Sequence, residues 1–437
     1  TFPIFGGLFA FISGAESVNN ETRRKMEGMD RKMAEVLGPD KKADSLITFG
    51  EDAVHQARYL ERMAHCPVYG GTETEYFPLG EDCFSRMVEE LKKAERYIFL
   101  EYFIIEDGVM WDTILDILTE KVKAGVDVRV MYDDIGSMFT LPREYAAELE
   151  KRTGIQCCVF NPFVPILSLR LNNRDHRKIL VVDGKVAFTG GINLADEYIN
   201  KKVRFGHWKD SAIMVRGEAA WSMTVMFLTL WDYTREIFTE DYDVFRPKWE
   251  RPPKGVGYVQ PYTDNPLDGE AVGQSVYLNL INKARRYVYI TTPYLIVDDS
   301  MNTALCIAAK SGVDVRIMTP HIPDKKVVFE VTRAHYDALL EAGVKIYEYT
   351  PGFVHAKNFA VDDKYGTVGT VNMDYRSLFL HFEDGVWLCG DPTVRDIKAD
   401  FLATLEYCQP ITLEESRALP WWRKAYRAVL RVFAPLM

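Results

Sequence analysis

The sequence predicts an α/β protein made of two related units with one site between them. The chain has 437 residues, of which 47% are hydrophobic, enough for two or three domains with their own cores. Helical patterns alternate with short apolar strands in both halves, which is typical of α/β folds. A motif of His-x-Lys, four residues and Asp occurs twice, at His176 and His355. This duplication predicts a pseudo-twofold arrangement of the two units.

The two halves repeat one order of predicted elements. In the first half the order helix, strand, helix, strand falls on residues 81–93, 97–105, 111–124 and 126–132. In the second half it falls on residues 275–283, 287–292, 301–310 and 313–318. Strands that alternate with helices predict a mostly parallel sheet in each half. Residues 247–261, which carry four prolines, are expected to separate the halves.

The two ends of the chain differ from its middle. Residues 1–14 are apolar but shorter than the ~20 residues of a bilayer span, so they form either a membrane-proximal segment, which we favour, or a buried one. The mixed charges of residues 16–64 predict a solvated linking helix without chemistry. The predicted domains are therefore residues 1–66, 67–246, 247–415 and 416–437.

The C-terminal residues predict an amphipathic helix. Arginines recur every four residues on one side, and apolar residues fall on the other. The arginines are Arg423, Arg427 and Arg431, and the apolar residues are Trp422, Tyr426, Val429, Leu430 and Phe433. Arginines combined with interfacial aromatic residues suit the surface of an anionic bilayer. A helix packed on the protein's own core is the alternative.

Charge and cysteine content exclude other classes of protein. The formal net charge of −10 argues against a broad nucleic-acid-binding surface. The seven cysteines are scattered without a CxxC pair, so we expect neither a disulfide framework nor a zinc site. No cofactor or metal is predicted.

The duplicated motif supplies the chemistry. The first copy carries His176, Lys178 and Asp183, then Asn193 in a glycine-led turn; the second carries His355, Lys357 and Asp362, then Asn372. On a strand, His and Lys of His-x-Lys point to the same face. Imidazoles attack phosphorus or transfer protons, lysines suit phosphate oxygens, and asparagines supply amide donors. Two such half-sites could run a double displacement on one phosphoryl group without a metal.

Acidic residues beyond the motifs are candidate partners of the histidines. A catalytic imidazole needs a group that fixes its tautomer. In chain order, we predict Asp210 as the partner of His176 and Glu383 as the partner of His355; pairing of these acids with nearby basic residues is the alternative. The motif aspartates lie on the opposite strand face from the lysines. We expect them to hold a turn, or to pair across the halves, rather than to touch substrate.

With these motifs the chain resembles the phospholipase D superfamily, and within it the bacterial cardiolipin synthases. The resemblance rests on the duplicated motif and on segments that begin at Glu101, Tyr132, Gly206, Met318 and Tyr349. It implies two phospholipase D-like α-β-α sandwich units and the joining of two phosphatidylglycerols into cardiolipin with release of glycerol. It also implies His176 as nucleophile, His355 as general acid and then base, and Asn193 and Asn372 as phosphate-binding residues. Relatives usually carry Asn where this chain has His381, so the role of that position is open.

The resemblance further implies a bacterial cytoplasmic membrane location, with transmembrane helices upstream of the given sequence. The expected partners are phosphatidylglycerol and a membrane surface, not nucleic acid; a homo-oligomer is left open. Three rival functions remain. In a lipid hydrolase, water would replace the acceptor alcohol. The net charge disfavours a metal-independent nuclease, and a catalytically silent lipid-binding scaffold would not need both intact His-Lys pairs. The acceptor itself is also open between phosphatidylglycerol, glycerol and an ethanolamine lipid.

Overall fold

The computed structural model describes residues 20–38, 41–163 and 172–434. In chain order the strands are β1 Tyr69–Gly71, β2 Glu73–Phe77, β3 Tyr97–Tyr102, β4 Asp127–Asp133, β5 Gln156–Phe160, β6 Ile179–Val182, β7 Val186–Gly190, β8 His207–Lys209, β9 Ala212–Arg216, β10 Gly255–Asp264, β11 Tyr287–Thr291, β12 Asp314–Pro320, β13 Lys345–Tyr349, β14 Gly352–Val354, β15 Asn358–Val361, β16 Tyr365–Gly369, β17 Glu383–Cys389 and β18 Cys408–Ile411.

The α-helices are α1 Asn20–Leu37, α2 Glu51–Met63, α3 Gly80–Lys93, α4 Val109–Lys123, α5 Asp134–Ser137, α6 Tyr145–Thr153, α7 Ala219–Arg235, α8 Val272–Lys283, α9 Asp299–Lys310, α10 Lys326–Ala334, α11 Tyr336–Glu341, α12 Tyr375–Phe379, α13 Thr393–Leu405, α14 Leu413–Arg417 and α15 Trp421–Val432. Short 3-10 helices cover Lys41–Phe49, Asp196–Ile199 and Asp243–Phe245. The eight helices and strands predicted in the two halves are confirmed to within a few residues at their ends.

The two large sheets repeat one topology, which confirms the internal duplication. The first sheet has the order β2-β9-β7-β6-β3-β4-β5, and the second has β1-β10-β17-β16-β15-β11-β12-β13-β18. In each, three strands are parallel: β3-β4-β5 and β11-β12-β13. The other pairings are antiparallel, so the predicted mostly parallel sheets are wrong. The reason is that each motif strand turns back through a tight hairpin, and a hairpin can only join antiparallel strands.

Strand β1 and helix α7 of the first unit contact strand β10 of the second unit. Strand β10 occupies half of the segment expected to separate the halves, and it pairs with β17 of the second sheet. Strand β1 pairs with β10, although it lies within the range predicted for the first unit. The large buried helix α7 packs against the first sheet and β10, and its Trp221, Phe227 and Trp231 are almost fully buried. A helix that is apolar all round is expected in such an interior position.

The segment predicted to be a solvated linker is part of the core instead. Met26 and Met33 of α1 are buried where that helix packs on α7, and Leu60 of α2 is fully buried. Its interleaved charges hid an apolar stripe at helical spacing. Residues 1–14, interpreted as membrane-proximal, lie outside the described residues. Over the described ranges, no helix combines the length and apolar composition needed to cross a bilayer.

Candidate active site

Each motif is bonded to the half that it does not belong to. The amide of His176 donates to the carbonyl of Phe382 at 2.9 Å, and the amide of His355 donates to the carbonyl of Lys209 at 2.7 Å. Strands β14 and β8 extend the second contact as a small parallel sheet. Phe382 directly precedes Glu383, and Lys209 directly precedes Asp210. The backbone therefore brings each acid beside the histidine of the other half.

The structure forms two crossed histidine–carboxylate pairs. Nδ1 of His176 lies 2.9 and 3.0 Å from the two carboxylate oxygens of Glu383, and Nδ1 of His355 lies 2.7 Å from Oδ2 of Asp210. The predicted pairing, which followed chain order, is the wrong way round. Asp210 and Glu383 exchange partners because the motif strands of one unit lie beside the other unit. With the carboxylate accepting from Nδ1–H, each imidazole keeps a lone pair on Nε2.

Burial keeps both imidazoles neutral near neutral pH. His176 and His355 are 7% and 8% exposed. Burial, together with the charge of the neighbouring lysines, lowers the pKa of His176 to about 3 and that of His355 to about 4. The opposing carboxylates only partly offset these effects. A neutral imidazole with a free Nε2 is the form that can attack phosphorus.

The carboxylate of Glu383 is fixed from several sides. Burial raises its pKa, but the charge and hydrogen-bond contacts with His176 and His381 together outweigh burial, so the pKa is lowered overall and the group is ionised. The hydroxyl of Ser377 donates to Oε1 at 2.6 Å, and the hydroxyl of Thr370 donates to Oε2 at 2.5 Å. These two hydroxyls were missed in the sequence, where serine and threonine are too common to stand out. They hold the carboxylate in the orientation that His176 requires.

The two motif lysines are buried side by side with the histidines. Lys178 and Lys357 are each 1% exposed, and each ammonium donates to the carbonyl of the histidine in its own motif. Burial lowers the pKa of Lys178 to about 8 and that of Lys357 to about 7. A phosphodiester entering between them would favour the charged ammonium forms. The pair is therefore suited to an anionic ligand.

The two asparagines differ in how they are held. Asn193 accepts from the amide of Ile104 at 3.0 Å and donates to the hydroxyl of Tyr198 at 2.7 Å. The amide oxygen of Asn372 is buried and has no hydrogen-bond partner among the described residues. This position is therefore free to bond a ligand, through the oxygen or, after a flip, through the amide nitrogen. The predicted phosphate contact thus fits Asn372 better than Asn193.

The glycines that lead these turns serve the strands rather than a ligand. A Cβ on Gly190 would lie 2.3 Å from the carbonyl oxygen of Ser211, and a Cβ on Gly191 would lie 2.0 Å from Oδ1 of Asp210. In the second half a Cβ on Gly369 would lie 2.5 Å from the carbonyl oxygen of Asp384. The glycines therefore make room for the strands that carry the acids.

The motif aspartates accept hydrogen bonds from the backbone, in agreement with the prediction that they hold a turn. Asp183 accepts hydrogen bonds from the amides of residues 95–97, at the start of β3. Asp362 accepts from the amides of residues 285–287, at the start of β11. Both have a positive φ, +54° and +56°, which is uncommon for residues other than glycine. Their carboxylates are occupied by backbone within their own halves, so they do not pair across the halves.

A buried cluster of charged side chains, which the sequence analysis did not predict, lies beneath the first motif. Arg177, the middle residue of His-x-Lys, pairs with Glu101 at 2.6 Å and with Asp175 at 3.4 Å. Burial raises the pKa of nearby Asp384 to about 7. His321 lies outside this cluster, and its Nδ1 is 2.9 Å from a carboxylate oxygen of the buried Glu348.

His381 is the unexpected member of the site. Its ring centroid lies 5.6 Å from that of His176, and its Nδ1 lies 3.7 Å from Oε1 of Glu383. Within the described part of the chain, neither ring nitrogen has a hydrogen-bond partner. Ligand atoms of these three residues lie within 4.8 Å of one another, a spacing compatible with a cation. Because Glu383 is already bonded to Ser377, Thr370 and His176, we interpret the cluster as a hydrogen-bonded pair with a third imidazole beside it.

The fold and the crossed pairs define a phospholipase D-like protein. A family model described as cardiolipin synthase, PLD-like domain, matches residues 87–217 and 277–405. The chain belongs to this cardiolipin synthase family of phospholipase D-like proteins.

Full-length relatives agree with that assignment. The chain is 34% identical over 444 residues to a cardiolipin synthase of Halalkalibacterium halodurans, with 100% of this chain and 87% of that protein covered. It is 36% identical over 441 residues to a cardiolipin synthase of a Geobacillus species, with the same coverage. An uncharacterized protein of Streptococcus mutans is 47% identical over 444 residues, covering 100% of this chain and 94% of that protein.

Solved structures are similar in fold alone. The phosphatidylserine synthase of Haemophilus influenzae matches with a TM-score of 0.65 at 13% identity, covering 87% of this chain and 97% of that one. A polyphosphate kinase of Porphyromonas gingivalis matches with a TM-score of 0.51 at 14% identity, covering 84% of this chain and 53% of that one. These similarities support the two-unit architecture.

Proposed function

We propose that this protein is a cardiolipin synthase, which transfers a phosphatidyl group from one phosphatidylglycerol to another and releases glycerol. The observation that carries the proposal is the pair of crossed histidine–carboxylate contacts, with both motif lysines beside them. This set supplies a nucleophile, an acid–base group and fixed positive charge around one phosphodiester. The curated relatives named cardiolipin synthase, which align along the entire chain, support the same reaction.

The first half-reaction forms a phosphohistidine. Nε2 of His176 attacks phosphorus, the P–N bond forms, and the P–O bond to the glycerol headgroup breaks. Nε2–H of His355 donates its proton to the departing glycerol oxygen. The neutral resting state of His355 means that it must gain this proton as the anionic substrate binds, since a nearby negative charge favours the imidazolium. The choice of His176 as nucleophile rests on the resemblance, because the two halves are nearly symmetric.

The second half-reaction reverses these roles. His355, now neutral, takes the proton from a hydroxyl of a second phosphatidylglycerol. The resulting oxygen attacks phosphorus, the P–O bond of cardiolipin forms, and the P–N bond to His176 breaks. Glu383 stays hydrogen-bonded to Nδ1–H throughout and stabilises the positive charge on the phosphorylated imidazole.

The lysines and asparagines stabilise charge on the phosphoryl oxygens. Lys178 and Lys357 place two ammonium groups in a buried site, where each is worth more than in water. Asn372 would add an amide contact. The enclosure of both histidines limits access of bulk water, which favours an alcohol acceptor over hydrolysis. The substrate places the enzyme at a membrane surface, and we propose the bacterial cytoplasmic membrane as its location.

Analysis of lipid products by mass spectrometry tests the proposal. The protein is incubated with phosphatidylglycerol vesicles in EDTA, and His176→Ala serves as control. We expect cardiolipin and glycerol from the unaltered protein and neither from the control. Phosphatidic acid as the sole product would instead identify a hydrolase, and the absence of any product would favour the scaffold. Addition of phosphatidylethanolamine or free glycerol then identifies the accepted alcohol.

A further inference from the structure

The C-terminal residues form the predicted amphipathic helix, and α15 packs on the protein through its arginine side. Arg423 and Arg427 point inward, and both donate to the carboxylate of Glu330 on α10, Arg427 through Nε at 2.8 Å. Arg427 is only 8% exposed. Leu430 and Ala434 complete the inward stripe and are buried. These arginines thus fasten the helix to the protein, so they are not the groups that meet a bilayer.

The outward side of α15 is apolar and aromatic. We call this surface the apolar face; it consists of Trp421, Trp422, Tyr426, Val429, Val432 and Phe433. Trp421 is 81% exposed and Val432 is 67% exposed. Lys424 and Arg431, both exposed, follow one edge of this face. A helix packed on a water-soluble body buries its apolar side, so this orientation marks a surface that meets an apolar partner.

The apolar face is attached to one wall of the active site. Leu430 and Ala434 pack against Ile296 and Val331, with Tyr375 beside them. The amide of Ile296 donates to the carbonyl of Met373 at 2.8 Å, directly after the turn that carries Asn372. Tyr375 begins α12, two residues beyond that carbonyl. The face and the turn are therefore parts of one packed unit.

We propose that the apolar face of α15 docks into the interfacial layer of a phospholipid bilayer and holds the Asn372 side of the active site at the lipid surface. Tryptophan and tyrosine flanked by lysine and arginine are the residues that anchor helices in this layer. The choice of lipid over a protein partner rests on the proposed function, because a lipid substrate must leave the bilayer where the enzyme meets it.

Vesicle binding tests the docking independently of catalysis. All proteins carry His176→Ala, so that the lipids stay unchanged, and are titrated with vesicles of phosphatidylglycerol and phosphatidylethanolamine in a flotation assay. Val429→Asp combined with Val432→Asp changes only the apolar face. Ile307→Asp is the matched control, since Ile307 is likewise exposed, at 58%, on a helix outside α15. The apolar residues 1–14 are identical in all variants, so the ratio of partition coefficients reports the face.

We expect the double variant to bind vesicles about tenfold or more weakly for each valine lost, and the control to bind unchanged. Equal binding by all three proteins would overturn the proposal. So would a change from dimer to monomer in analytical ultracentrifugation with unaltered vesicle binding, which would identify a second copy as the occupant. Because no turnover is measured, a failed docking result is distinct from a failure of cardiolipin synthesis.

A second measurement tests the link to the active site. With the histidine intact, the double variant should lose transfer activity on phosphatidylglycerol vesicles in proportion to its lost binding. On short-chain phosphatidylglycerol below its micelle concentration, it should match the Ile307→Asp protein. Equal loss on both substrates would contradict a docking role and indicate a defect in the fold.

Discussion

The crossed pairing makes a sharp prediction for Glu383→Gln. The substitution keeps the shape of the side chain but removes the charge that accepts from Nδ1–H of His176 at 2.9 Å in a fully buried position. A hydrogen bond to a charged group contributes about 1.5–3 kcal/mol. At about 1.4 kcal/mol for each factor of ten, the rate of phosphohistidine formation should fall about 10- to 150-fold.

The assay separates the two histidines directly. Rapid-quench measurement of phosphatidyl-enzyme should show slow formation in Glu383→Gln. In ¹⁵N NMR of labelled imidazoles, the same variant should shift the resonances of His176 and leave those of His355 in place. Asp210→Asn should do the reverse.

Glu348→Gln is the matched control for loss of a buried carboxylate. Glu348 is fully buried and bonded to His321, but it lies outside the site. This variant should lose stability without losing the rate of the chemical step. The reasoning is refuted if Glu383→Gln shifts the His355 signals instead, as pairing in chain order would require.

Three further predictions concern the lysine, the third imidazole and the motif aspartate. Because the pKa of Lys357 is lowered to about 7, its ammonium is lost as the pH rises through 7, and kcat/KM should fall above that pH. Lys357→Arg stays charged and should move this fall in kcat/KM to higher pH. A pH profile that is flat in both proteins would contradict a role for the ammonium in binding phosphate. His381→Asn removes a partly buried imidazole whose ring nitrogens have no hydrogen-bond partner among the described residues, so urea titration should show unchanged or higher stability and transfer should persist within a few-fold. Loss comparable to that of His176→Ala would instead make His381 catalytic. Asp183→Ala leaves three backbone amides without their acceptor and should lower the free energy of unfolding by about 3 kcal/mol. The kcat of the folded fraction should be nearly unchanged. A large fall in kcat of fully folded protein would show that the carboxylate acts on substrate.

The duplicated motif predicts most of the fold and the central residues of the site. The motif identifies His176, Lys178 and Asp183, but His176 and Lys178 precede β6 and Asp183 follows it, so the three residues flank the short strand on which their alternation was predicted. The motif does not predict the pairing of Asp210 and Glu383, because chain order says nothing about which half supplies the strand that lies beside a motif. That information lies in the backbone contacts of Phe382 and Lys209.

Surface orientation is the other property that sequence periodicity leaves open. The spacing in α15 separates most arginines from most apolar residues, although Leu430 is buried on the arginine side and Arg431 is exposed. It cannot say which side faces the protein, because that depends on Glu330, about ninety residues earlier. The buried stripe of α1 was missed for a related reason: mixed charges dominate its sequence, and the methionines become significant only when α7 is seen to cover them.

The central claim is that the phosphatidyl group passes through His176 with proton transfer by His355. Its most direct test uses His355→Ala and a phosphatidyl ester whose leaving group needs no proton, followed by peptide mapping with mass spectrometry. The account predicts a phosphatidyl adduct on His176 that accumulates, because the base for the second step is missing. No adduct, or an adduct on any other residue, would contradict it.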